Sequence, residues 1–467
     1  MPALKKRLAD GKKLPPHLQM RFACSLWKIA RDPDAAKLLR TLIEQNAISA
    51  SLEQKLWRID SGADTIATLE KQLKSEKPEA VIGAAAALGT KSKEAIPALA
   101  KALTDKEARV RAQAVIALVQ LGSQAKDTLP ALRNAMKDDA AQIAFWATVA
   151  VCRLDPTAET VAAIASYLGD PNPVIREDAV VVLGSLGATA KPAVPKLTVL
   201  LNEAGHYAKL AAAVALWKIE QHPLALPAVV ELLQSPDRRV REQAAVEIGG
   251  TFGPDARSAT SAIVKRLFDP FAAVRSTSAE AIGRVGPGAS KAAPALLALL
   301  EGDEPAFVQS AACEALGLID PLDKDGVVAV LKKKLEHYDP LVRVHAALAL
   351  HRLNGDKAGE KIADRLLGYR THQVRITAAE ALWGMSKDER VVPLLVRTLE
   401  ESNLDGLSGE NERYMAVRAL GRIGTAGKPA VPELLKLLEH PDAALAATAR
   451  TALKALDPEA AKKAGVP

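Results

Sequence analysis

One phrase recurs along the whole chain at nearly constant spacing. It occupies residues 105–118 in one copy, 269–282 in another and 371–382 in a third, and each copy contains the dipeptide Val-Arg. When the Arg of that dipeptide is taken as position zero, equivalent positions recur every 30 to 38 residues, which gives fourteen units. A period of this size indicates a solenoid, in which each unit contacts only its neighbours. The fourteen anchor positions are Gln19, Ser49, Val81, Arg111, Ala144, Arg176, Lys209, Arg241, Arg275, Gln309, Arg343, Arg375, Arg413 and Ala446.

Each unit is predicted to contain two helices. The first carries proline near its start, as at Pro195 and Pro432, where the missing N–H has no intrahelical partner to lose. The second begins after an aspartate that can cap free N–H groups, as at Asp170 and Asp339, and it usually ends at glycine. Apolar residues at −1, +3, +6, +7 and +10 form a stripe that one unit cannot bury alone. We therefore predict an all-α fold, an α/α superhelical solenoid of about fourteen helix pairs that forms a single domain over residues 1–467.

Composition agrees with that fold and narrows the function. Aromatic residues make up only 3% of the chain although 49% is hydrophobic, so Ala, Leu and Val must fill the core. No apolar run reaches the 18 or more residues of a membrane span, and the N-terminus has no apolar signal region. The cysteines, Cys24, Cys152 and Cys313, are too scattered for a disulfide framework or zinc cluster. We expect no metal and no cofactor, and a cytoplasmic location by default.

The repeat also resembles a known family. Pro-Ala near the first helix, Asp-x-x-x-x-Val-Arg between the helices, and Ala-x-x-Ala-Leu-Gly-x-Ile-Gly in the second helix resemble HEAT repeats across residues 2–457. The short unit is similar to the bacterial HEAT-like type named after phycobilisome lyases. The resemblance implies that the Asp and the Arg six residues later form a ladder joining successive units, with gaps at Ala144 and Gln309. Carried over by position, this structural ladder comprises Asp105, Arg111, Asp170, Arg176, Asp269, Arg275, Arg343 and Arg375.

Position +8 alternates between glycine and tryptophan. Six units have Gly there, whereas four of the five tryptophans share the same position in other units: Trp27, Trp57, Trp217 and Trp383. One interpretation is a row of rings on the concave face that grips an extended peptide, since Trp is favoured at binding hot spots. The other is that Trp fills space between units.

Position +5 is predicted to face the inner groove. It is aliphatic in the middle of the chain and then largely acidic, and exposed aliphatic rows mark contact sites. Tight curvature that partly buries this position is the alternative. The candidate contact residues are Val149, Val181, Val214, Glu280, Glu314 and Glu380.

Two further expectations concern the chain's irregular parts. Residues 401–411 lengthen one unit and are predicted to form a longer loop between its two helices. The terminal repeats lie at 1–33 and 425–460, and the first has no polar cap before Pro2. We therefore expect a fragment of a longer protein, or a first unit that frays or pairs with another chain. We expect the protein to be a monomer, or a weak oligomer whose chains contact one another through that uncapped repeat.

No catalytic constellation is recognisable in the sequence. The eight histidines are dispersed, and a His-Glu dipeptide, on which HEAT-like di-iron hydroxylases depend, is absent. The prediction is a non-enzymatic scaffold or adaptor that binds a protein or peptide partner on its concave face. One alternative, implied by the resemblance, is a phycobilin lyase-like protein that attaches chromophores. The other is nucleic-acid binding through residues 1–150, which hold 24 Lys and Arg against 16 Asp and Glu. That excess is mild, and nucleic acid is the less favoured partner.

Overall fold

A computed structural model describes most of the chain. The described residues are 34–44, 63–89, 94–203, 205–402, 410–438 and 442–466, together with six single positions before, between or beside these ranges: Gln19, Met20, Ala23, Leu56, Ser92 and His440. Every regular element within these ranges is helical, which confirms the all-α solenoid prediction. The chain divides into two compact units, unit 1 (Met1–Ala179) and unit 2 (Val180–Pro467). The prediction of a single domain stays a prediction.

From α2 onwards, the described helices alternate along the chain as first and second members of successive pairs. We number them α1 to α26 in chain order. The first helices are α1 Asp34–Glu44, α2 Ala63–Gln72, α4 Ala95–Ala102, α6 Leu129–Ala135, α8 Ala158–Ser166, α10 Val194–Glu203, α12 Ala225–Leu232, α14 Thr260–Arg266, α16 Ala293–Glu301, α18 Lys324–Lys334, α20 Glu360–Leu366, α22 Val391–Ser402, α24 Val431–Leu437 and α26 Pro458–Lys463. The second helices are α3 Pro78–Leu88, α5 Ala108–Leu121, α7 Ala141–Leu154, α9 Pro173–Ser185, α11 His206–Glu220, α13 Arg238–Glu247, α15 Ala272–Val285, α17 Ala306–Leu316, α19 Pro340–Asn354, α21 His372–Ser386, α23 Glu410–Ile423 and α25 Ala443–Leu456.

The turns follow the sequence signals. Where α5, α15 and α23 end, Gly122, Gly286 and Gly424 have φ of 53°, 72° and 71°, a region that L side chains avoid. Each of these glycines starts a single 3₁₀ segment that leads into the next first helix. At the other end, the Asp339 carboxylate accepts hydrogen bonds from the N–H groups of Leu341 and Val342 and caps α19.

The core lies between stacked pairs. Second helices pack directly on the second helices of neighbouring pairs, as α15 does on α17 and α17 on α19. Unit 1 contains one hydrophobic core that extends from Ala23 to Val151, and the last pairs of unit 2 share another from Val344 to Val466. These cores are mainly Ala, Leu, Val and Ile, so the low aromatic content reflects the small spacing between helices.

At several junctions an arginine at position zero ties one helix pair to the next. Arg241 donates from Nη1 to the backbone carbonyl of Ser235, six residues before it, at 2.8 Å. Its Nε and Nη2 reach the Asp269 carboxylate of the next pair at 2.8 and 3.0 Å. Arg111 makes the same two contacts, to the Asp105 carbonyl and to the carboxylate of Asp138. The ladder arginine therefore uses the backbone of its own turn and the side chain of the following one.

The ladder changes character along unit 2. Arg275 pairs with Glu304 at 2.6 Å, and Lys334 donates to the Gln309 side chain at 2.7 Å, so a neutral amide replaces arginine at that rung. Arg343 and Arg375 donate to backbone carbonyls six residues earlier, at His337 and Tyr369. In unit 1, Arg176 likewise donates to the Asp170 carbonyl. The gap expected at Gln309 is thus bridged by Lys334. In the unit of Ala144, Asp138 stands six residues before the anchor and accepts hydrogen bonds from Arg111 of the preceding pair.

The lengthened unit has helices on both sides of its insertion. α22 ends at Ser402 and α23 begins at Glu410. Residues 403–409 lie outside the described residues, as does nearly all of the first terminal repeat, 1–33. The expectations for the 401–411 loop and for the uncapped N-terminus therefore stay predictions.

Candidate functional site

The tryptophans at position +8 occupy different environments. Trp27 and Trp57 lie outside the described residues. Trp217 packs against Phe252 of the next pair, with ring centroids 4.7 Å apart, so it fills space between pairs. Trp383 instead lines a cleft on the second helices, and Lys387 Nζ lies 5.3 Å from its ring centroid. The space-filling interpretation suits Trp217, and the binding interpretation suits Trp383.

Position +5 is not uniformly exposed. Val181 is 63% exposed and Val214 is half-buried. Val149, by contrast, is completely buried, one helical turn from the buried ring of Phe145. The expectation that Val149 is a contact residue is therefore wrong, because no partner can reach its side chain. The other valines keep their solvent access.

The cleft is formed entirely within unit 2 by four successive second helices. It encloses about 220 Å³. α17 supplies Glu314, α21 supplies Glu380 and Trp383, and α19 and α23 supply cationic and apolar side chains. Of the predicted site residues, the cleft brings together these three, and Glu280 lies close enough to interact electrostatically with Glu314. The remaining lining residues are His345, Leu348, His351, Arg352, Thr377, Gly384, Lys387, Ala419, Arg422 and Ile423.

The acidic residues of the cleft are compensated by arginines. Glu380 accepts a hydrogen bond from Arg422 at 3.0 Å, and Glu280 lies 3.7 Å from Arg284. Although burial opposes it, the surrounding positive charge of His345, Arg352 and Arg422 lowers the pKa of Glu314. Burial raises the pKa of Glu380, because the effect of Arg422 is too small to offset it. The face is therefore a mixed-charge network rather than the acidic surface that position +5 suggests.

Two polar groups that line the cleft, on His351 and Arg352, have no hydrogen-bond partner among the described residues. His351 Nδ1 is buried without a hydrogen-bond partner. Arg352 interacts electrostatically with Glu314 but makes no hydrogen bond or ion pair to any residue in the described part of the chain. By contrast, His345 Nδ1 lies 2.7 Å from Ser310 Oγ. Unpaired polar groups in a concave site are available to a ligand.

Sequence reasoning missed the cations of this cleft. Arg352 and Arg422 line the cleft, and both stand at position +9, as does Arg284 on the neighbouring α15. Reading position +9 beside position +5 would have indicated that basic side chains accompany the acidic ones on this face. A second missed feature is that Phe268 and Phe271 are exposed before α15, and Phe307 is exposed in the first turn of α17, the next second helix.

Opposite pKa shifts predict opposite effects of neutralising Glu314 and Glu380. Because the pKa of Glu314 is lower in the folded chain, its charged form stabilises the fold at pH values above the pKa of an unfolded glutamate, about 4.3. That stabilisation is lost as the pH falls through the folded pKa. Because the pKa of Glu380 is higher in the folded chain, its protonated form stabilises the fold below the unfolded pKa, and that stabilisation is lost as the pH rises through the folded pKa. Urea unfolding at pH 7 should show Glu314→Gln less stable than the parent and Glu380→Gln at least as stable. Both differences should shrink at pH 4, and equal losses at pH 7 would contradict the assignment.

Other chemistries have little support in the described residues. Burial raises the pKa of Cys152, and that of Cys313 to about 12, which disfavours the reactive thiolate. Within the same residues, no three His, Cys, Asp or Glu side chains are grouped so that they could hold a metal ion. In the basic N-terminal third, Arg109, Arg111 and Arg133 already form ion pairs with carboxylates. No helix in the described ranges is long and apolar enough to cross a bilayer.

Comparison with known protein families gives two matches. The pattern described as HEAT repeats matches residues 66–152, 226–317 and 294–383, together more than half of the chain. The pattern described as PBS lyase HEAT-like repeat matches residues 412–440. No curated protein matches the chain in a sequence search.

Solved structures of similar fold include karyopherins. A structure of Kap95p with RanGDP is 16% identical, with a TM-score of 0.46 over 94% of this chain and 68% of that one. The Kap95:Nup1 complex is 16% identical, with a TM-score of 0.45 over 94% of this chain and 69% of that one. Kap121p bound to the SUMO protease Ulp1p is 14% identical, with a TM-score of 0.39 over 93% of this chain and 57% of that one. At these identities the similarity extends to the fold alone.

Proposed function

Because this chain belongs to the HEAT-repeat family, we propose that it is a non-enzymatic scaffold or adaptor whose second helices in unit 2 bind a segment of another protein. The observation that carries this proposal is the cleft around Trp383, in which an aromatic ring, apolar side chains and unpaired polar groups converge. Aromatic side chains at such positions are typical anchors of protein interfaces.

The dimensions of the cleft favour a peptide side chain over a small molecule. Sites for drug-sized ligands enclose about 300–1,000 Å³, whereas this cleft encloses about 220 Å³. That volume accommodates one or two side chains of a segment whose backbone remains outside. The segment must be recognised by its side chains, since the helices that form the cleft satisfy most of their backbone groups internally.

Further contacts are available on the second helices that precede the cleft in the chain. Val181 and Val246 at position +5 are exposed, and Val214 is half-buried. Together with Glu280 and Glu314 they form a row across consecutive second helices of unit 2. A partner segment that lies across the helices would therefore meet aliphatic side chains first and the charged cleft afterwards. Such a row favours an extended partner over a single point of contact.

We expect Trp383→Ala to weaken binding of peptides selected on the full chain by at least about tenfold, as truncation of an aromatic hot spot does. The peptides come from selection of a random library on the full chain, and their affinities are measured by fluorescence anisotropy. Tyr338→Ala is the matched control, because Tyr338 is an aromatic residue of unit 2 that is exposed outside the cleft.

The two variants separate the possible results. Loss of affinity with Trp383→Ala and not with Tyr338→Ala supports the cleft. Selected peptides that bind both variants as well as the parent would show that the cleft is not the interface. Circular dichroism of each variant establishes that the helical content is unchanged.

A further inference from the structure

We propose that the cleft in unit 2 recognises a carboxylate of the partner segment, the side chain of Asp or Glu, through the guanidinium of Arg352. This inference rests on the proposed function and specifies the chemistry of the partner.

Arg352 is the arginine of this cleft that the described residues leave unpaired. Arg422 donates to Glu380 at 3.0 Å, and Arg284 on the neighbouring α15 lies 3.7 Å from Glu280. Arg352 has five N–H donors and no hydrogen bond or ion pair to any residue within the described ranges. It is exposed to solvent, so a ligand can reach it, while the protein around the cleft partly desolvates it and lowers its pKa. A partly desolvated guanidinium binds a carboxylate more strongly than one in bulk water.

The charge of the lining favours a singly charged anion. Three cations line the cleft, Arg352, Lys387 and Arg422, against the two carboxylates Glu314 and Glu380. These five side chains together carry one net positive charge, which one carboxylate neutralises. A phosphate group carries close to two negative charges and would leave an excess beside Glu314 and Glu380. The same balance disfavours a basic segment, which would add repulsion at Arg352 and Lys387.

The rest of the cleft indicates what accompanies the carboxylate. Trp383, Leu348 and Ile423 are apolar parts of the lining. Lys387 takes a left-handed backbone conformation, φ 56°, at the end of α21, and its ammonium group lies over Trp383. An acidic residue next to an apolar one would place its carboxylate at Arg352 and the apolar side chain against Trp383. His351 Nδ1, buried and unpartnered, offers a further polar contact.

The test uses the peptides selected on the full chain. Each is synthesised with its Asp or Glu, with the matching Asn or Gln, and with phosphoserine at that position. Anisotropy is measured against the parent, Arg352→Ala, Arg352→Lys and Arg365→Ala. Arg365 is the control, because it is an exposed arginine of α20 outside the cleft.

We expect selected peptides to share an acidic residue. Its amide counterpart should bind about 10- to 100-fold more weakly to the parent, as expected for loss of a charge-assisted hydrogen bond. Arg352→Ala should lose a similar factor for the acidic peptide and little for the amide. Arg352→Lys should retain part of the affinity, since it keeps the charge without the fork, and Arg365→Ala should bind as the parent does.

Failure of this inference can be distinguished from failure of the proposed function. Peptides that require Trp383 but bind equally well as amides, or to Arg352→Ala, would overturn carboxylate recognition and leave the scaffold function intact. Tighter binding of the phosphoserine peptides would also overturn it, in favour of a phosphate site. If no selected peptide depends on Trp383 or Arg352, both proposals are wrong.

Discussion

Replacing Arg241 with alanine is expected to lower the free energy of unfolding of unit 2 by about 3–5 kcal/mol, the cost of breaking a buried ion pair from one side. Arg241 is 7% exposed and Asp269 is 3% exposed. Their two parallel hydrogen bonds, at 2.8 and 3.0 Å, join consecutive helix pairs. Without the guanidinium, the Asp269 carboxylate stays buried with only the Phe271 N–H at 3.1 Å and Arg266 at 3.6 Å. The measurement is urea unfolding followed by circular dichroism.

Hydrogen exchange provides a local readout of the same variant. Because a solenoid is stabilised by contacts between neighbouring units, the loss should appear first as faster exchange in α13 and α15. Protection in unit 1 should change little. Uniform loss of protection across both units would show that the ladder acts on the whole chain rather than on one junction.

The matched control is an ion pair on the surface. Arg133 and Asp155 lie 2.7 Å apart, but their side chains are 58% and 38% exposed. Arg133→Ala should therefore cost less than about 1 kcal/mol. The double variant Arg241→Met, Asp269→Leu should recover most of the stability, because apolar replacement of both partners removes the uncompensated charge. A loss as large in the double variant as in Arg241→Ala would mean that contacts of Arg241 other than Asp269 dominate, such as its bond to the Ser235 carbonyl.

The fold could be predicted from the sequence because the repeat applies the same constraints fourteen times. Glycine after the second helix, aspartate before it and small residues within it are local signals, and a solenoid is built from local contacts. Gly286 and Asp339 accordingly stand at a turn and a cap, as their sequence positions indicate. The prediction did not require knowing which distant segments of the chain contact one another, because the contacts join neighbouring units.

The site could be predicted only in part, since it depends on contacts between units. Position +5 is exposed at Val181 and buried at Val149, although the two positions are equivalent in the repeat. Which one is covered depends on the neighbouring side chains, and the repeat alone does not specify them. Likewise, Arg422 and Glu380 are 42 positions apart in the chain, so their pairing follows from the stacking of α21 and α23 rather than from any motif.

Replacing Gly317 with valine is expected to destabilise unit 2 by about 3 kcal/mol, at the upper end of the usual cost of overpacking. A Cβ at Gly317 would lie 2.7 Å from Ala349 Cα and 2.9 Å from its Cβ. Both residues belong to the junction between second helices α17 and α19, where +8 of one pair meets +6 of the next. Because the obstacle is backbone, only separation of the helices can relieve it. Urea unfolding measures the loss.

The same junction recurs along unit 2 at graded distances, which gives a series of alanine variants. The nearest Cα lies 2.8 Å from the added Cβ at Gly249, 3.0 Å at Gly283 and 3.4 Å at Gly421. Alanine in place of glycine should gain about 1 kcal/mol of helix propensity inside α15 at Gly283 and inside α23 at Gly421. The sign of the change there shows which effect dominates. We expect a net loss at Gly317 that diminishes through Gly249 and Gly283 and approaches zero at Gly421.

Gly368→Val is the control, because nothing lies within 4 Å of a Cβ at that position. It should change stability by less than about 0.5 kcal/mol, as ordinary surface substitutions do. Ala349→Gly combined with Gly317→Ala should restore only part of the loss, since the closest atom is a Cα that remains. Stabilisation by alanine at all four junctions would show that the helices separate at little cost. In that case the close approach of the second helices would not explain why position +8 is glycine in six units.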